Sequence, residues 1–164
     1  MPKRDISTLM RLKGDASNLF SWMAHILERR GQYDLAGEEL KSNCYYKFDF
    51  WVRKDTVKRE FIVRNTGETV IQICEWDADA TSELRDHNNL EKGYQDKYIR
   101  DRKRLCMDLL SLLSPGYKEK LKKDDVTRFR FELADSSHDS LEMFRMIKIV
   151  GEKKLMKKLI QLLQ

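Results

Sequence analysis

Cysteine is scarce in this 164-residue chain and shows none of the spacings that define a metal site or a disulfide framework. Cys44, Cys74 and Cys106 are far apart. No Cys-x-x-Cys pair is present, and no histidine lies at the distance typical of zinc sites. We expect reduced, mostly buried thiols and no cofactor.

Long apolar runs are also missing. The most apolar segment, LCMDLLSLLS, contains Asp108 and is too short to cross a bilayer. The first residues, MPKRDIST, include basic side chains but no apolar segment follows them. The sequence therefore predicts a soluble intracellular protein, located in the cytoplasm.

Catalytic motifs are absent as well. The sequence has no phosphate-binding glycine loop and no Gly-x-Ser-x-Gly, and neither His25 nor His138 has a sequence-local nucleophile or carboxylate arranged for acid and base chemistry. One acidic cluster is present, formed by Glu75, Asp77, Asp79, Glu83 and His87. It lacks the glycine and glutamate of a calcium loop, and helix capping by Asp77 or Asp79 explains it. We expect no enzyme, no catalytic residue and no metal site.

Charge is abundant and unevenly distributed. Residues 1–96 carry 15 basic and 17 acidic side chains, whereas residues 97–164 carry 17 and 10. A basic half favours an anionic partner such as RNA or membrane lipid, although surplus lysine is more often plain solubilising surface.

Helical periodicity opens the chain. Apolar residues recur at steps of three and four from Leu19 to Leu27, after a capping residue at Asp15 or Ser17 and before Gly31. The phrase QYDLAGEELK predicts a short second helix. Residues 15–41 are therefore expected to form a helical hairpin.

The period changes to two at Cys44. Alternating apolar and polar residues, followed by two β-branched segments around Gly67, predict a three-stranded antiparallel meander over residues 44–76. The same alternation over residues 127–133 predicts a fourth strand. Helical period returns over residues 78–164, with a break at Asn88, Asn89 and Gly93 and a cap at Asp139. We expect a single α+β domain, residues 1–164, that is mostly helical with a three- to four-stranded antiparallel sheet.

Two surfaces are candidates for partner binding. The first is a set of basic residues able to contact RNA phosphates: Arg100, Arg102, Lys103, Arg104, Arg128 and Arg130. Such runs are also often solvated faces, and acidic residues dilute this one. The second is an apolar stripe on the last helix, formed by Leu155, Met156, Leu159, Ile160 and Leu163. Either a fold-back onto the core or a second copy of the chain is expected to cover it.

Several phrases resemble a known family. LKGDASNLFSW and LERRGQYDL carry Leu12, Gly14, Asn18, Trp22, Leu27, Gly31, Tyr33 and Asp34. With RKRLCMDLLSLLSPGYKEKL and the Leu-rich segment after Phe144, they resemble the capsid region of copia-type retrotransposon Gag polyproteins over about half the chain. The resemblance implies a capsid-like protein that self-assembles and packages RNA. The predicted sheet and the missing zinc knuckle depart from that family.

Two alternatives remain open. The helical phrases also resemble the closing helices of death-fold adaptor domains, which bind other proteins. Too few residues precede Trp22, however, to supply the earlier helices of a six-helix death fold. The other alternative is an RNA-binding accessory protein with no assembly role, which requires only the basic half and the sheet.

Overall fold

A computed structural model describes residues 10–164 of the chain. The fold is mostly helical, as the sequence predicts. The elements within these residues are α1 (Leu19–Glu28), a 3-10 turn (Arg30–Tyr33), α2 (Asp34–Ser42), β1 (Thr56–Ile62), β2 (Thr69–Glu75), α3 (Ala78–Ser111), α4 (Pro115–Lys123), α5 (Arg128–Ser137) and α6 (Ser140–Leu163). They divide into two compact units, the first made of residues up to 46 together with 97–164, and the second of residues 47–96. This division does not test the prediction of a single domain, which stays a prediction.

The first unit is a helical bundle with its own apolar core. Trp22 of α1 is buried and stacks on Phe144 of α6, with the ring centroids 6.4 Å apart. Leu12 is fully buried, and its backbone N–H donates to the carbonyl of Leu112 at 2.7 Å. This bridge fixes the segment before α1 against the end of α3. The burial of large apolar side chains from several helices supplies the main stabilisation of such a bundle.

The second unit contains a β-hairpin. β1 and β2 pair antiparallel around a turn in which Gly67 has a φ of +68°. Arg59 of β1 donates hydrogen bonds to Glu83 of α3 at 2.7 Å and to Asp77 at 3.0 Å. These charge-assisted bonds attach the hairpin to the first turns of α3.

The predicted three- to four-stranded sheet is wrong in its number of strands, because in the described residues only β1 and β2 pair. Residues 44–55 alternate in the expected way but form no strand. Side chains of α3 bond to their backbone instead. Asn88 accepts from the N–H of Trp51 at 2.7 Å and donates to its carbonyl at 2.9 Å, and Glu91 accepts from the N–H of Asp49 at 3.1 Å. Several of the backbone polar groups that a strand partner would satisfy are therefore paired with side chains.

The fourth strand, expected over residues 127–133, is a helix. Asp124 accepts hydrogen bonds from the backbone N–H groups of Val126 and Thr127, which starts the turn that leads into α5. Thr127, Phe131 and Ala134 are buried on one side of that turn and helix. Their spacing of four and three residues suits a helix face, and it competes with the period of two that the sequence also shows.

The predicted break at Asn88, Asn89 and Gly93 is also absent, since α3 continues through all three residues. The side chain of Asn88 forms hydrogen bonds with the backbone of Trp51. The cap at Asp139 is confirmed, because its carboxylate accepts from the N–H of Glu142 at 3.1 Å. Asp15 and Ser17 do not cap α1, which begins one residue after Asn18.

Candidate self-association and nucleic-acid interfaces

The last turns of α6 carry an exposed apolar surface, which we call the α6 stripe. The α6 stripe consists of Leu155, Met156, Leu159, Ile160 and Leu163. Leu155 is half-buried, whereas Met156, Leu159 and Ile160 are 56, 50 and 49% exposed and Leu163 is 80% exposed. The described part of the chain therefore does not fold back to cover this surface.

The first half of α6 behaves differently. Met143, Met146 and Ile147 are fully buried, and the buried positions continue as far as Gly151. A Cβ at Gly151 would lie 2.6 Å from the hydroxyl of Tyr117, so the absence of a side chain there permits close packing. One helix thus supplies core packing in its first half and an uncovered apolar face in its second half.

The arginine cluster in α3 is partly occupied by contacts within the chain. Arg102 donates to the carbonyl of His138 at 3.0 Å and lies over the ring of Tyr98. Arg104 donates to the carbonyl of Gln32 and lies 4.5 Å from the ring centroid of Tyr33. These guanidinium groups hold helices together, which lowers their availability to phosphates.

The remaining basic residues of the predicted set fall into two groups. Arg100 and Lys103 are exposed, and neither forms an ion pair within residues 10–164. Arg130 binds Glu142 of α6 at 2.7 Å, and Arg128 lies 4.6 Å from the ring centroid of Phe129. The structure therefore leaves Arg100 and Lys103 as the freest members of the set.

A second basic surface lies between α4 and α6, and we call it the lysine groove. It has a volume of about 470 Å³. Five lysines and two acidic residues contribute to its lining: Lys120, Lys123, Lys153, Lys154, Lys157, Glu119 and Asp124. The formal charge of these seven side chains is +3. The ammonium groups of lysine are compact charges on flexible side chains, and a row of them along a groove can form ion pairs with phosphate oxygens.

The pairing inside the lysine groove is incomplete. Lys153 lies 3.3 Å from Asp124, and Lys123 lies 3.8 Å from Glu119. Lys154 donates to the carbonyl of Gly14. Lys120 and Lys157 form no ion pair with any residue in the described part of the chain. These two ammonium groups are the ones most available to an anion.

Sequence reasoning noticed both lysine-rich segments but did not join them. The phrase YKEKLKK and the lysine face of the last helix are separated by about thirty residues of sequence. Helical spacing shows that Lys153 and Lys157 share one side of α6. Only the packing of α4 against α6 shows that Lys120 faces the same groove.

The acidic cluster after β2 is used in ion pairing and capping. Asp77 accepts from the N–H of Ala80 at 2.8 Å, the geometry of a helix cap, and this bond, with the guanidinium of Arg59 nearby, lowers the pKa of its carboxyl. His87 stacks on Trp51, with ring centroids 3.9 Å apart. Within residues 10–164, no group of three or more histidine, cysteine or acidic side chains is arranged to hold a metal ion.

The cysteines are less buried than the sequence suggested. Cys106 is buried, and burial raises the pKa of its thiol to about 12. Cys44 is exposed and Cys74 is half-buried, so the expectation of mostly buried thiols is wrong for these two. All three are free thiols.

Comparison of the chain with protein-family models, with curated protein sequences and with solved structures found no match. None of the helices between residues 10 and 164 combines the length and apolar composition that crossing a bilayer requires.

Proposed function

We propose that the protein is a non-enzymatic, capsid-like protein that self-associates and binds RNA. The exposed α6 stripe carries this proposal. Burial of apolar surface is the main driving force of protein association. In a single chain, the half-exposed Leu, Ile and Met side chains at the end of α6 remain in contact with water. A second copy of the same helix offers a matching apolar face, as in helical bundles.

The resemblance to the Gag capsid region is compatible with the placement of its residues. Leu12, Trp22 and Tyr33 are buried in the first unit, and the hydroxyl of Tyr33 donates to Asp108 of α3. Asn18 accepts from the N–H of Lys13 and donates to the carbonyl of Arg11. The phrases that carry the resemblance thus supply packing and local bonding, which supports a shared helical scaffold as a proposal.

Leu159→Asp is expected to abolish assembly through the α6 stripe. A carboxylate in an apolar seam loses its hydration without a partner, which costs several kcal/mol of association free energy. The melting temperature of the single chain should change little, because Leu159 is already 50% exposed. Analytical ultracentrifugation of the wild type and the variant measures the loss directly.

Gln161→Asp is the matched control for that variant. Residue 161 follows Leu159 by a rotation of about 200°, so its side chain lies on the opposite side of α6. The Gln161→Asp substitution introduces the same carboxylate on the same turn of α6 as Leu159→Asp. Equal loss of assembly in both variants would show that charge on the helix, and not the stripe, controls association, and would contradict the proposal.

RNA binding is assigned to the lysine groove in this proposal. Lys157 is two residues from both Leu155 and Leu159, a rotation of about 200°, but it is three residues from Ile160, so the lysine groove borders the α6 stripe along one side. Arg100 and Lys103 add exposed positive charge. RNA and a second copy of the chain are therefore proposed to occupy adjacent surfaces of α6.

The lysine groove predicts a specific salt dependence. If its net charge neutralises about three phosphates, log affinity for single-stranded RNA should fall against log salt with a slope of about −2. Lys120→Gln with Lys157→Gln removes two of those charges, and the slope should drop to about −1. Fluorescence anisotropy with a labelled RNA oligonucleotide at several salt concentrations measures both values.

Lys41→Gln with Lys92→Gln is the control, since it removes two exposed lysines that do not line the groove. Its slope should stay near that of the wild type. An equal decrease in both double variants would indicate that only net charge attracts RNA. A wild-type affinity that does not depend on salt would remove the phosphate contact altogether.

A further inference from the structure

The β-hairpin of the second unit has an outer edge whose backbone groups are open. The N–H of Val63 donates to Glu68 and the N–H of Trp76 donates to Asp55, which defines the hydrogen-bonded pairs at the two ends of the ladder. Such pairs recur at every second residue of an antiparallel ladder. Even-numbered residues of β2 therefore bond inward to β1, and Thr69, Ile71, Ile73 and Glu75 direct their N–H and C=O groups outward.

The two edges of the hairpin differ in their protection. On the free edge of β1, Lys58 and Glu60 occupy outward positions, and charged residues there oppose pairing with another strand. The free edge of β2 has the sequence TVIQICE, in which Glu75 at the end is the only charge. Ile71 and Ile73 are 62 and 67% exposed. The β2 edge combines open backbone groups with uncovered isoleucines.

A hairpin of two strands is also marginal by itself. Three or more strands with an apolar face, or packing against a helix, are needed for independent stability in water. Arg59 attaches β1 to α3, but the isoleucines of β2 remain largely in solvent. Extension of the sheet through β2 would supply both the missing hydrogen bonds and a cover for the isoleucine side chains.

We propose that β2 pairs antiparallel with β2 of a second copy of this chain, forming a four-stranded sheet about a twofold axis at Gln72. A second copy fits this edge because the strand is complementary to itself. In the Gln72-centred register, Ile71 of one chain lies opposite Ile73 of the other, and Thr69 lies opposite Glu75. All seven residues of β2 then pair, and every outward N–H finds a carbonyl.

Charge also favours this register over shifted ones. The two Glu75 side chains lie at opposite ends of the paired strands, about 20 Å apart for six residues of strand. A shift towards the end of β2 would bring them together and leave Thr69 unpaired. Four isoleucines, two from each chain, meet on one face near the centre. This contact goes beyond the proposed α6 association and does not depend on it.

Cysteine crosslinking tests the register. Residue 72 pairs with itself at a non-hydrogen-bonded position, where the Cα atoms lie about 4.5 Å apart, within the range that a disulfide spans. Gln72→Cys, in a background of Cys44→Ser and Cys74→Ser, should form a covalent dimer when oxidised with diamide. Glu60→Cys, exposed on the β1 edge of the same hairpin, should not. Absence of the Gln72→Cys dimer, or equal crosslinking of Glu60→Cys, would overturn the proposal.

Proline substitution tests the hydrogen bonds of the edge. Ile73→Pro removes an outward N–H of β2 without removing a bond of the hairpin ladder, and Lys58→Pro does the same at the directly paired position of β1. We expect Ile73→Pro to abolish the β2-mediated dimer and Lys58→Pro to retain it. Loss in both variants, with Gln72→Cys also failing to crosslink, would contradict the β2 contact.

The same reagents separate this contact from the α6 association. In the Leu159→Asp chain, β2 pairing predicts a species no larger than a dimer, which crosslinks through Gln72→Cys and becomes monomeric when Ile73→Pro is added. A Leu159→Asp chain that is monomeric and does not crosslink would refute the β2 contact while leaving the α6 contact intact. A Gln72→Cys chain that keeps Leu159 and forms only the crosslinked dimer, with no larger species, would refute the α6 contact instead.

Discussion

Gly37→Ala is expected to lower the stability of the first unit by about 3 kcal/mol, the upper part of the usual range for overpacking. A Cβ on Gly37 would lie 2.6 Å from the carbonyl carbon and 2.9 Å from the Cα of Arg30, and closer still to its carbonyl oxygen. These are backbone atoms of the turn before α2, so no side-chain rotation relieves the clash. The melting temperature should fall by about 6–12 °C for a chain of this size, measured by circular dichroism.

Gly93→Ala is the matched control. Gly93 lies inside α3, and nothing within 4 Å would meet its Cβ. Alanine is about 1 kcal/mol more favourable than glycine in a helix interior, so this variant should be more stable than the wild type. The same substitution is therefore expected to lower the stability of the protein at Gly37 and to raise it at Gly93. A Gly37→Ala variant as stable as Gly93→Ala would contradict the close approach of α2 to Arg30.

Tyr98→Phe should lower stability by about 2–3 kcal/mol, since it removes a hydrogen bond to a buried charge. Glu39 is 2% exposed, and the Tyr98 hydroxyl lies 2.7 and 2.8 Å from its two carboxylate oxygens. Burial and the bond to Glu39 raise the pKa of this hydroxyl, so it remains a donor. In the variant, the backbone N–H of Tyr46, which lies 2.7 Å from a carboxylate oxygen of Glu39, remains as a hydrogen-bond donor to this carboxylate. Urea denaturation measures the change.

Two variants check the origin of that loss. Tyr94→Phe removes the same hydroxyl from a ring that is 50% exposed and should change the free energy of unfolding by less than about 0.5 kcal/mol. Glu39→Gln replaces the buried charge with a neutral amide. In that background Tyr98→Phe should cost less, because an unpaired amide is less costly to bury than an unpaired carboxylate. Equal costs in both backgrounds would contradict a bond to the charged group.

Periodicity predicted several of the helices and the β-hairpin correctly. The helix around Trp22, the hairpin around Gly67 and the long helical region after residue 78 are all present. It failed where side chains make long-range bonds. Residues 44–55 have the alternation of a strand, but Asn88 and Glu91 bond to their backbone, and sequence spacing does not reveal a partner that far along the chain.

The candidate sites were predictable to the same limited extent. The α6 stripe is visible as helical spacing, but whether it folds back depends on packing that the sequence does not display. Arg102 and Arg104 look like solvated phosphate ligands in sequence, yet His138 and Gln32 accept their hydrogen bonds. The lysine groove requires two helices to meet. Residue composition locates charge along the chain, and tertiary packing decides which charges remain available.

The most direct test of the central claim is the molar mass of the wild-type protein in solution, measured by light scattering over a range of concentrations, with and without single-stranded RNA. The chain has a mass of 19.6 kDa. Self-association through α6 predicts a mass that exceeds this value, rises with concentration and rises further when RNA is added. A mass that stays at 19.6 kDa at every protein concentration, with RNA present, would contradict the capsid-like function.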